Sequence, residues 1–116
     1  MPRPRKCKKV CRLPLCSRFA PENTESAVGE PVVMTVEEYE TIRLIDYRGF
    51  NQHQCSEFMG IARTTVQNIY DSARGKIAAA LVEGRRLVIQ GGSFRLCDGK
   101  ERACQCGGCK KHCISE

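Results

Sequence analysis

The sequence predicts a mainly α protein in which a helix-turn-helix core carries a short β-hairpin and cysteine-rich, metal-binding ends. Three observations predict this fold class. Apolar residues recur at helical spacing through the middle of the chain, and two short apolar runs then flank a pair of glycines. The segments RPRKCKKVC and CQCGGCKKHC near the two ends together hold six of the nine cysteines. A length of 116 residues, with 41% hydrophobic and 28% charged positions, suits one compact domain.

The first predicted helix begins after Thr35. Thr35 and Glu38 have the spacing of a capping box, in which each side chain accepts a hydrogen bond from the other residue's backbone amide. Gly49 ends the helical pattern. Residues 1–34 are predicted to form a basic, cysteine-containing arm and a loop, with a short strand at PVVM. The apolar positions of the helix are Val36, Tyr39, Ile42, Leu44 and Ile45.

Two further helices are predicted between residues 51 and 84. Asn51 caps a short helix that ends at Gly60 and turns Cys55 toward the core, and a longer amphipathic helix then runs to Gly84. A short helix, a tight turn and a longer helix with a polar front are typical of a helix-turn-helix. Residues 35–84 are therefore predicted as one such domain. The inner face of the longer helix is Val66, Ile69, Ala73, Ile77 and Leu81.

Residues 85–97 are predicted to form a β-hairpin. The run RLVIQGGSFRLC alternates apolar and polar residues on both sides of Gly91 and Gly92, and a glycine pair suits a tight hairpin turn. The remaining residues, 98–116, are the cysteine-rich tail.

Basic charge is concentrated at the start of the chain. An arm of this kind attracts phosphate groups by releasing their counterions, so we expect it to follow a nucleic-acid backbone or to enter a minor groove. The alternative is a basic tail that only increases solubility. The formal net charge is +6, and the first twelve residues hold Arg3, Arg5, Lys6, Lys8, Lys9 and Arg12 without an acidic residue.

The stretch TVEEYETIRLIDYRGFNQHQCSEFMGIARTTVQNIYDSARGKIAAAL resembles the DNA-binding region four of bacterial sigma factors. In that region an acidic-apolar helix, a glycine turn, a short helix and an R-x-T-V recognition helix follow one another. From RPRKCKKVC through EPVVMTVEEYETIRL and ARTTVQ to the double glycine, the chain resembles more closely a family of small prokaryotic proteins predicted to bind DNA. The resemblance covers residues 1–92 and implies a DNA-binding helix-turn-helix. The chain departs from sigma factors at Ala62, where they usually carry a serine or threonine cap.

The front of the second helix of a docked helix-turn-helix enters the major groove, so its outward side chains are the expected base contacts. Arg63 suits guanine or phosphate, and Gln67 and Asn68 can each bond adenine through two hydrogen bonds. The alternative is that these residues are only the solvated face of a helix. The other predicted DNA contacts are Thr64, Thr65, Arg74 and Lys76 on this helix and Arg3, Arg5 and Lys6 in the arm.

Four cysteines of the tail are close enough in sequence to bind one metal ion or cluster. They follow the pattern C-x-C-x₂-C-x₃-C, and the glycine pair between them allows the loop to wrap around the ligand. Four thiolates suit zinc, with an iron-sulfur cluster or a tail without metal as the alternatives. The tail residues are Cys104, Cys106, Cys109 and Cys113, and a second candidate set is Cys7, Cys11, Cys16 and Cys97.

The sequence predicts neither an enzyme nor a membrane protein. It has no phosphate-binding glycine loop, only two histidines and no stretch of membrane-spanning length, and a cytoplasmic location is expected. The leading hypothesis is a sequence-specific regulator that binds double-stranded DNA and holds a structural or sensory zinc or iron-sulfur site. A homodimer is left open. The rival hypothesis is a metal or iron-sulfur carrier whose helical core docks a partner, and RNA binding is a third.

Overall fold

A computed structural model describes residues 8–22 and 29–96 of the chain. Three α-helices and five short strands make up this part, and the first helix continues without a break into a π-helical segment. In chain order the elements are β1 (Lys8–Val10), β2 (Arg18–Phe19), β3 (Val32–Met34), α1 (Val36–Thr41), the π segment (Ile42–Tyr47), α2 (Gln52–Met59), α3 (Arg63–Glu83), β4 (Leu87–Ile89) and β5 (Phe94–Leu96).

The strands form two small sheets. β1 pairs in parallel with β5, and β4 lies between β2, to which it is antiparallel, and β3, to which it is parallel. The prediction of a mainly α protein is therefore wrong, because the described residues form an α/β fold. Each strand is only two or three residues long and pairs with a distant segment, so local periodicity does not reveal it.

The predicted β-hairpin at residues 85–97 is also wrong for the part of it that the structure describes. β4 pairs with β2 and β3, whereas β5 pairs with β1, so the two apolar runs belong to different sheets. Between them, Gly91 and Gly92 have φ angles of 72° and 108°. They carry the chain from one sheet to the other, across the start of α1.

The glycine pair allows the connection between β4 and β5 to approach α1 closely. The amide of Val36 donates to the carbonyl of Gly91 at 3.1 Å, and the amide of Ser93 donates to the Glu37 carboxylate at 3.0 Å. A β-carbon on Gly92 would overlap that carboxylate and would lie 3.0 Å from the β-carbon of Thr35. The glycines therefore serve a tertiary contact, which a hairpin pattern does not predict.

Replacing Gly92 by alanine is expected to lower the free energy of unfolding by about 1–3 kcal/mol, because its φ of 108° is strained for a residue with a β-carbon. The matched control is Gly75→Ala in α3, where nothing lies within 4 Å of the added β-carbon. That change is expected to stabilise the helix by about 1 kcal/mol. Chemical denaturation measures both variants, and equal stabilities would contradict the proposed role of Gly92.

The helix boundaries confirm the predicted capping residues. Thr35 accepts from the amide of Glu38 at 3.2 Å and donates its own amide to the Glu38 carboxylate at 2.8 Å. Asn51 and Gln54 form the same reciprocal pair at the start of α2, at 2.8 and 2.9 Å. Gly84 closes α3 in the left-handed conformation with φ of 67°. These boundaries depend on residues a few positions apart, which is why sequence alone predicts them.

The π segment differs from the single helix predicted after Thr35. Here the amide of Arg48 donates to the carbonyl of Arg43, five residues earlier, at 2.9 Å. Gly49, with φ of 82°, then ends the helical conformation at the predicted residue.

Two buried clusters meet where β1 ends. Val10 packs with strand and helix residues on the sheet side, whereas Cys11, its neighbour, packs with residues of the π segment, α2 and α3. Within the described ranges, none of the helices combines the length and apolar character needed to cross a bilayer. The sheet-side cluster is Val10, Met34, Val36 and Ile89, and the helix-side cluster is Cys11, Leu44, Cys55, Phe58, Met59 and Val66.

Candidate functional site

α2 and α3 form a helical pair joined by a turn at residues 60–62. Gly60 adopts the left-handed conformation, and its amide and that of Ile61 both donate to the carbonyl of Ser56, at 2.9 and 3.1 Å. On either side of the turn, Met59 and Val66 are fully buried in the same cluster. Hydrogen bonding in the turn and packing below it therefore fix the direction in which α3 leaves α2.

The five residues predicted to contact DNA at the front of α3 all lie in its first two turns. Arg63, Thr64 and Asn68 are exposed, and Thr65 and Gln67 are half-buried. The amide nitrogen of Gln67 donates to Asp71 at 2.8 Å, one turn further along the helix. Ala62 is the N-cap residue and makes no side-chain hydrogen bond, as its departure from the sigma-factor pattern implies. The polar front is thus available at the surface.

Lys76 has a structural partner that the sequence pattern does not reveal. Its ammonium group lies 2.7 Å from the Glu38 carboxylate of α1, and the hydroxyl of Ser72 donates to the other carboxylate oxygen at 2.6 Å. Glu38 also completes the capping box with Thr35. Lys76 therefore links the middle of α3 to the start of α1, which competes with the phosphate contact predicted for it.

The Glu38 carboxylate is held in its charged form. Burial alone would raise its pKa, but hydrogen bonds from Lys76, Ser72 and the Thr35 backbone outweigh that effect and lower the pKa below its usual value. A carboxyl group with a lowered pKa in the folded state stabilises the fold above the pKa it has in the unfolded chain. This stabilisation is present at neutral pH and is lost in acid.

Arg74 is exposed and is positioned by an aromatic neighbour. Its guanidinium lies 5.5 Å from the centre of the Tyr70 ring, and the Tyr70 hydroxyl donates to Asp46 of the π segment at 2.8 Å. The chain from Asp46 through Tyr70 to Arg74 keeps this cation on the surface of α3, where the sequence predicts a phosphate contact.

Glu40 is the central polar residue of the fold, although no predicted site includes it. It is fully buried, and its carboxylate accepts hydrogen bonds from the Cys11 amide at 3.0 Å and from two nitrogens of Arg43 at 2.7 and 2.9 Å. Its spacing of four residues from the apolar Val36 was the available signal, because residues so spaced share a helix face. Glu40 attaches the end of β1 to the first helix.

The predicted basic arm is partly built into the fold. The ammonium group of Lys8 lies 3.6 Å from the Glu37 carboxylate. Lys9 is only 3% exposed and lies 4.5 Å from the centre of the Phe58 ring. These two cations therefore anchor β1. The predicted DNA contacts Arg3, Arg5 and Lys6 lie outside the described residues.

The described cysteines lie in different environments. Cys55 is fully buried, with its sulfur 3.7 Å from that of Met59, so the prediction of a core residue is confirmed. Burial raises the pKa of the Cys55 thiol to about 12, which suppresses the reactive thiolate. Cys11 is buried in the same cluster, whereas Cys16 is exposed and donates to the carbonyl of Arg18 at 3.0 Å.

Metal binding was predicted at both ends of the chain. Residues 8–22 and 29–96 contain no group of three or more histidine, cysteine, aspartate or glutamate residues that is suited to hold a metal ion. Cys11 and Cys16 of the second candidate set fall in this part of the chain, and Cys11 is a core residue there. The other members of the two sets lie outside the described residues: Cys7, Cys97, Cys104, Cys106, Cys109 and Cys113.

Comparison with known proteins places the chain among relatives of similar length. A family model described as "Protein of unknown function DUF134" matches residues 1–97. A UPF0251 protein of Desulfitobacterium hafniense is 53% identical over 111 residues, which cover 96% of this chain and 88% of the relative. A UPF0251 protein of Thermoanaerobacter pseudethanolicus is 41% identical over 102 residues, covering 88% of this chain and 86% of the relative.

A longer relative is found in Methanothermobacter thermautotrophicus. This UPF0251 protein is 44% identical over 94 residues, which cover 81% of this chain but only 49% of the relative. No solved structure matches the chain.

Proposed function

This chain belongs to the DUF134 family, and we propose that it is a sequence-specific DNA-binding protein that inserts the front of α3 into the major groove. The observation that carries the proposal is the pairing of α2 with α3 across a three-residue turn, with exposed polar side chains where α3 begins. In a DNA-bound helix-turn-helix, the first helix crosses the backbone and the second presents its front residues to the bases. In this proposal the protein regulates transcription and catalyses no reaction.

Three side chains are proposed to read bases. Asn68 is exposed, and its amide can form two hydrogen bonds with adenine. Arg63, the first residue of α3, can address guanine in the same bidentate way. Gln67 must exchange its bond to Asp71 for one to a base. Because an intramolecular hydrogen bond at a surface contributes only about 1 kcal/mol net, this exchange costs little.

Phosphate contacts are proposed in the first turn of α3, further along that helix and in the arm. Thr64 and Thr65 lie in the first turn of α3, whose amides have no side-chain cap and can donate to a phosphate oxygen. Arg74, held at the surface by Tyr70, is the proposed contact further along the helix. The arm residues Arg3, Arg5 and Lys6 are among the positive charges that give the chain its net charge of +6. Lys76 is left out because it is paired with Glu38.

Zinc or an iron-sulfur cluster at the tail cysteines stays a prediction, and the proposed DNA contact does not require it. The rival hypothesis of a metal carrier makes a different prediction about α3. A carrier has no use for base-reading side chains at the front of that helix, so duplex DNA would show no preferred sequence.

The proposal is tested by selecting bound fragments from random duplex DNA with the full chain, prepared with zinc. We expect enrichment of one short motif, and binding that weakens steeply as salt rises, because phosphate contacts release counterions. Binding without any enriched motif would contradict sequence-specific recognition. The absence of binding at low salt would contradict DNA binding altogether.

A further inference from the structure

Asp71 is the one acidic residue in the front half of α3, between residues 63 and 74. It is exposed, and its carboxylate accepts a hydrogen bond from the side-chain amide of Gln67 at 2.8 Å. Within residues 8–22 and 29–96 it forms no ion pair, although Arg74 follows it by three residues. Because duplex DNA carries one phosphate charge per 1.7 Å of its axis, roughly, a carboxylate on a helix in the groove opposes binding unless it finds a partner there.

The inner face of α3 determines which of its residues point outward. Val66 and Ala73 are fully buried, whereas Leu81, which the sequence predicts on the same face, is 78% exposed because α3 extends past the two buried clusters. A helix turns by about 100° per residue, so Asp71 lies about 140° around the helix from Val66. The carboxylate therefore belongs to the outer face of the front half of α3.

The amide side chains that are proposed to bind bases lie on both sides of Asp71. By the same rotation, Gln67 is about 40° from Asp71 on one side and Asn68 about 60° on the other. Gln67 is also about 6 Å earlier along the helix axis. Since successive bases of a strand are about 3.4 Å apart, Gln67 and Asp71 can reach base pairs that are neighbours or one step further apart.

A contact between Gln67 and a base leaves the Asp71 carboxylate without its hydrogen-bond donor. Between protein and DNA, an ionised group that lacks a donor costs more free energy than it does at the open surface. A carboxylate only accepts hydrogen bonds, so it needs an amino group on a base edge. In the major groove cytosine offers N4, whereas adenine places the acceptor N7 beside its amino group and guanine and thymine offer no amino group.

We propose that Asp71 accepts a hydrogen bond from N4 of a cytosine and excludes sites that lack cytosine at that position. The inference rests on the proposed function, which inserts the front of α3 into the major groove. It adds a repulsive element to base recognition. At a wrong base pair the carboxylate stays without a donor near the phosphates, and this weakens binding. The amide residues and Asp71 then specify different positions of one site.

The test compares Asp71→Ala with Glu30→Ala, which raises the net charge by the same one unit. Glu30 is exposed, and its carbonyl accepts from Arg85, beyond the end of α3 and about 30 Å of helix away from the front. Bound fragments are selected from random duplex DNA with the natural full chain and with each variant, all prepared with zinc. The natural chain and Glu30→Ala are expected to select one motif that includes the cytosine. For Asp71→Ala we expect the same motif without a preference at that position.

Competition binding gives the size of the effect, using the selected site and the same site with the cytosine replaced. The natural chain is expected to prefer the selected site by at least about fivefold, and Asp71→Ala should bind both equally. On random duplex Asp71→Ala should bind more tightly than Glu30→Ala, although the two variants have the same net charge. Equal discrimination by the natural chain and Asp71→Ala would overturn the proposal.

Gln67→Ala distinguishes a base contact of Asp71 from an effect that passes through Gln67. The two variants should change the preference at different positions of the motif. If both change the same single position, Asp71 only orients Gln67 and the proposal is overturned. A motif that Asp71→Ala selects unchanged also overturns it, while the proposed function stands. If the natural chain selects no motif, both fail.

Discussion

Replacing Glu40 by alanine is expected to lower the free energy of unfolding by about 3–5 kcal/mol, because it breaks a buried ion pair. The carboxylate accepts from the Cys11 amide and from two nitrogens of Arg43, and it is fully buried. Its removal takes away the carboxylate that the guanidinium of Arg43, whose side chain is 17% exposed, contacts at 2.7 Å. Because small domains are stable by only about 5–15 kcal/mol, a large share of the molecules should unfold at physiological temperature.

The matched control is Glu57→Ala. Glu57 is also a helical glutamate, but its side chain is 69% exposed and its partner is His53 at 3.3 Å, one turn away. Loss of a surface pair of this kind costs about 0.5 kcal/mol or less. Denaturation in urea measures both variants. A cost below about 1 kcal/mol for Glu40→Ala would show that water or a rearranged side chain replaces the carboxylate.

Glu40→Ala should also loosen β1 before the rest of the fold unfolds. Glu40 bonds the residue that follows β1, and β1 is otherwise held by its pairing with β5 and by the side chains of Lys8 and Lys9. Limited proteolysis of Glu40→Ala in mild conditions is therefore expected to cut near Arg12 sooner than near α3. Simultaneous cleavage of both regions would show that the two unfold as one unit.

Helices and strands were not equally predictable from this sequence. The limits of α2 and α3 follow from Asn51, Gly60 and Gly84, whose conformations depend on residues within one turn. β1 and β5 pair residues from opposite ends of the described chain, and each is three residues long. The pairing is decided by where α1 and α3 place those ends, and no window of sequence contains that information.

The residues of the candidate site also differ in how far the sequence predicts them. The surface position of Arg63 and Asn68 follows from helical periodicity, which assigns each side chain to a face. The roles of Glu40 and Lys76 could not be predicted in this way, because a charged residue is assigned to the solvent unless its partner is known. Glu40 meets the Cys11 amide, and Lys76 meets Glu38, only when α1 packs against β1 and α3.

Asn68→Ala is expected to weaken binding to the selected DNA site by about 1–3 kcal/mol, which is about fivefold to 150-fold, with little change on random duplex. Asn68 is exposed and makes no contact on which the helix depends, and alanine has the higher helix propensity. The loss should therefore come from the missing bidentate bond to a base. Competition binding on the selected site, on the same site with one adenine replaced and on random DNA measures it.

The three DNA sequences distinguish the roles that Asn68 can have. A base contact predicts that Asn68→Ala binds the selected site and the substituted site equally, since the side chain that told them apart is gone. A phosphate contact predicts the same loss on all three, because the backbone is identical in each. Gln90→Ala is the matched control. Gln90 is an exposed amide residue directly after β4, in the opposite part of the fold from the α3 front. This variant should bind all three DNA sequences like the natural chain. Unchanged binding by both variants would remove the front of α3 from the interface and would favour a docking role for the helical core.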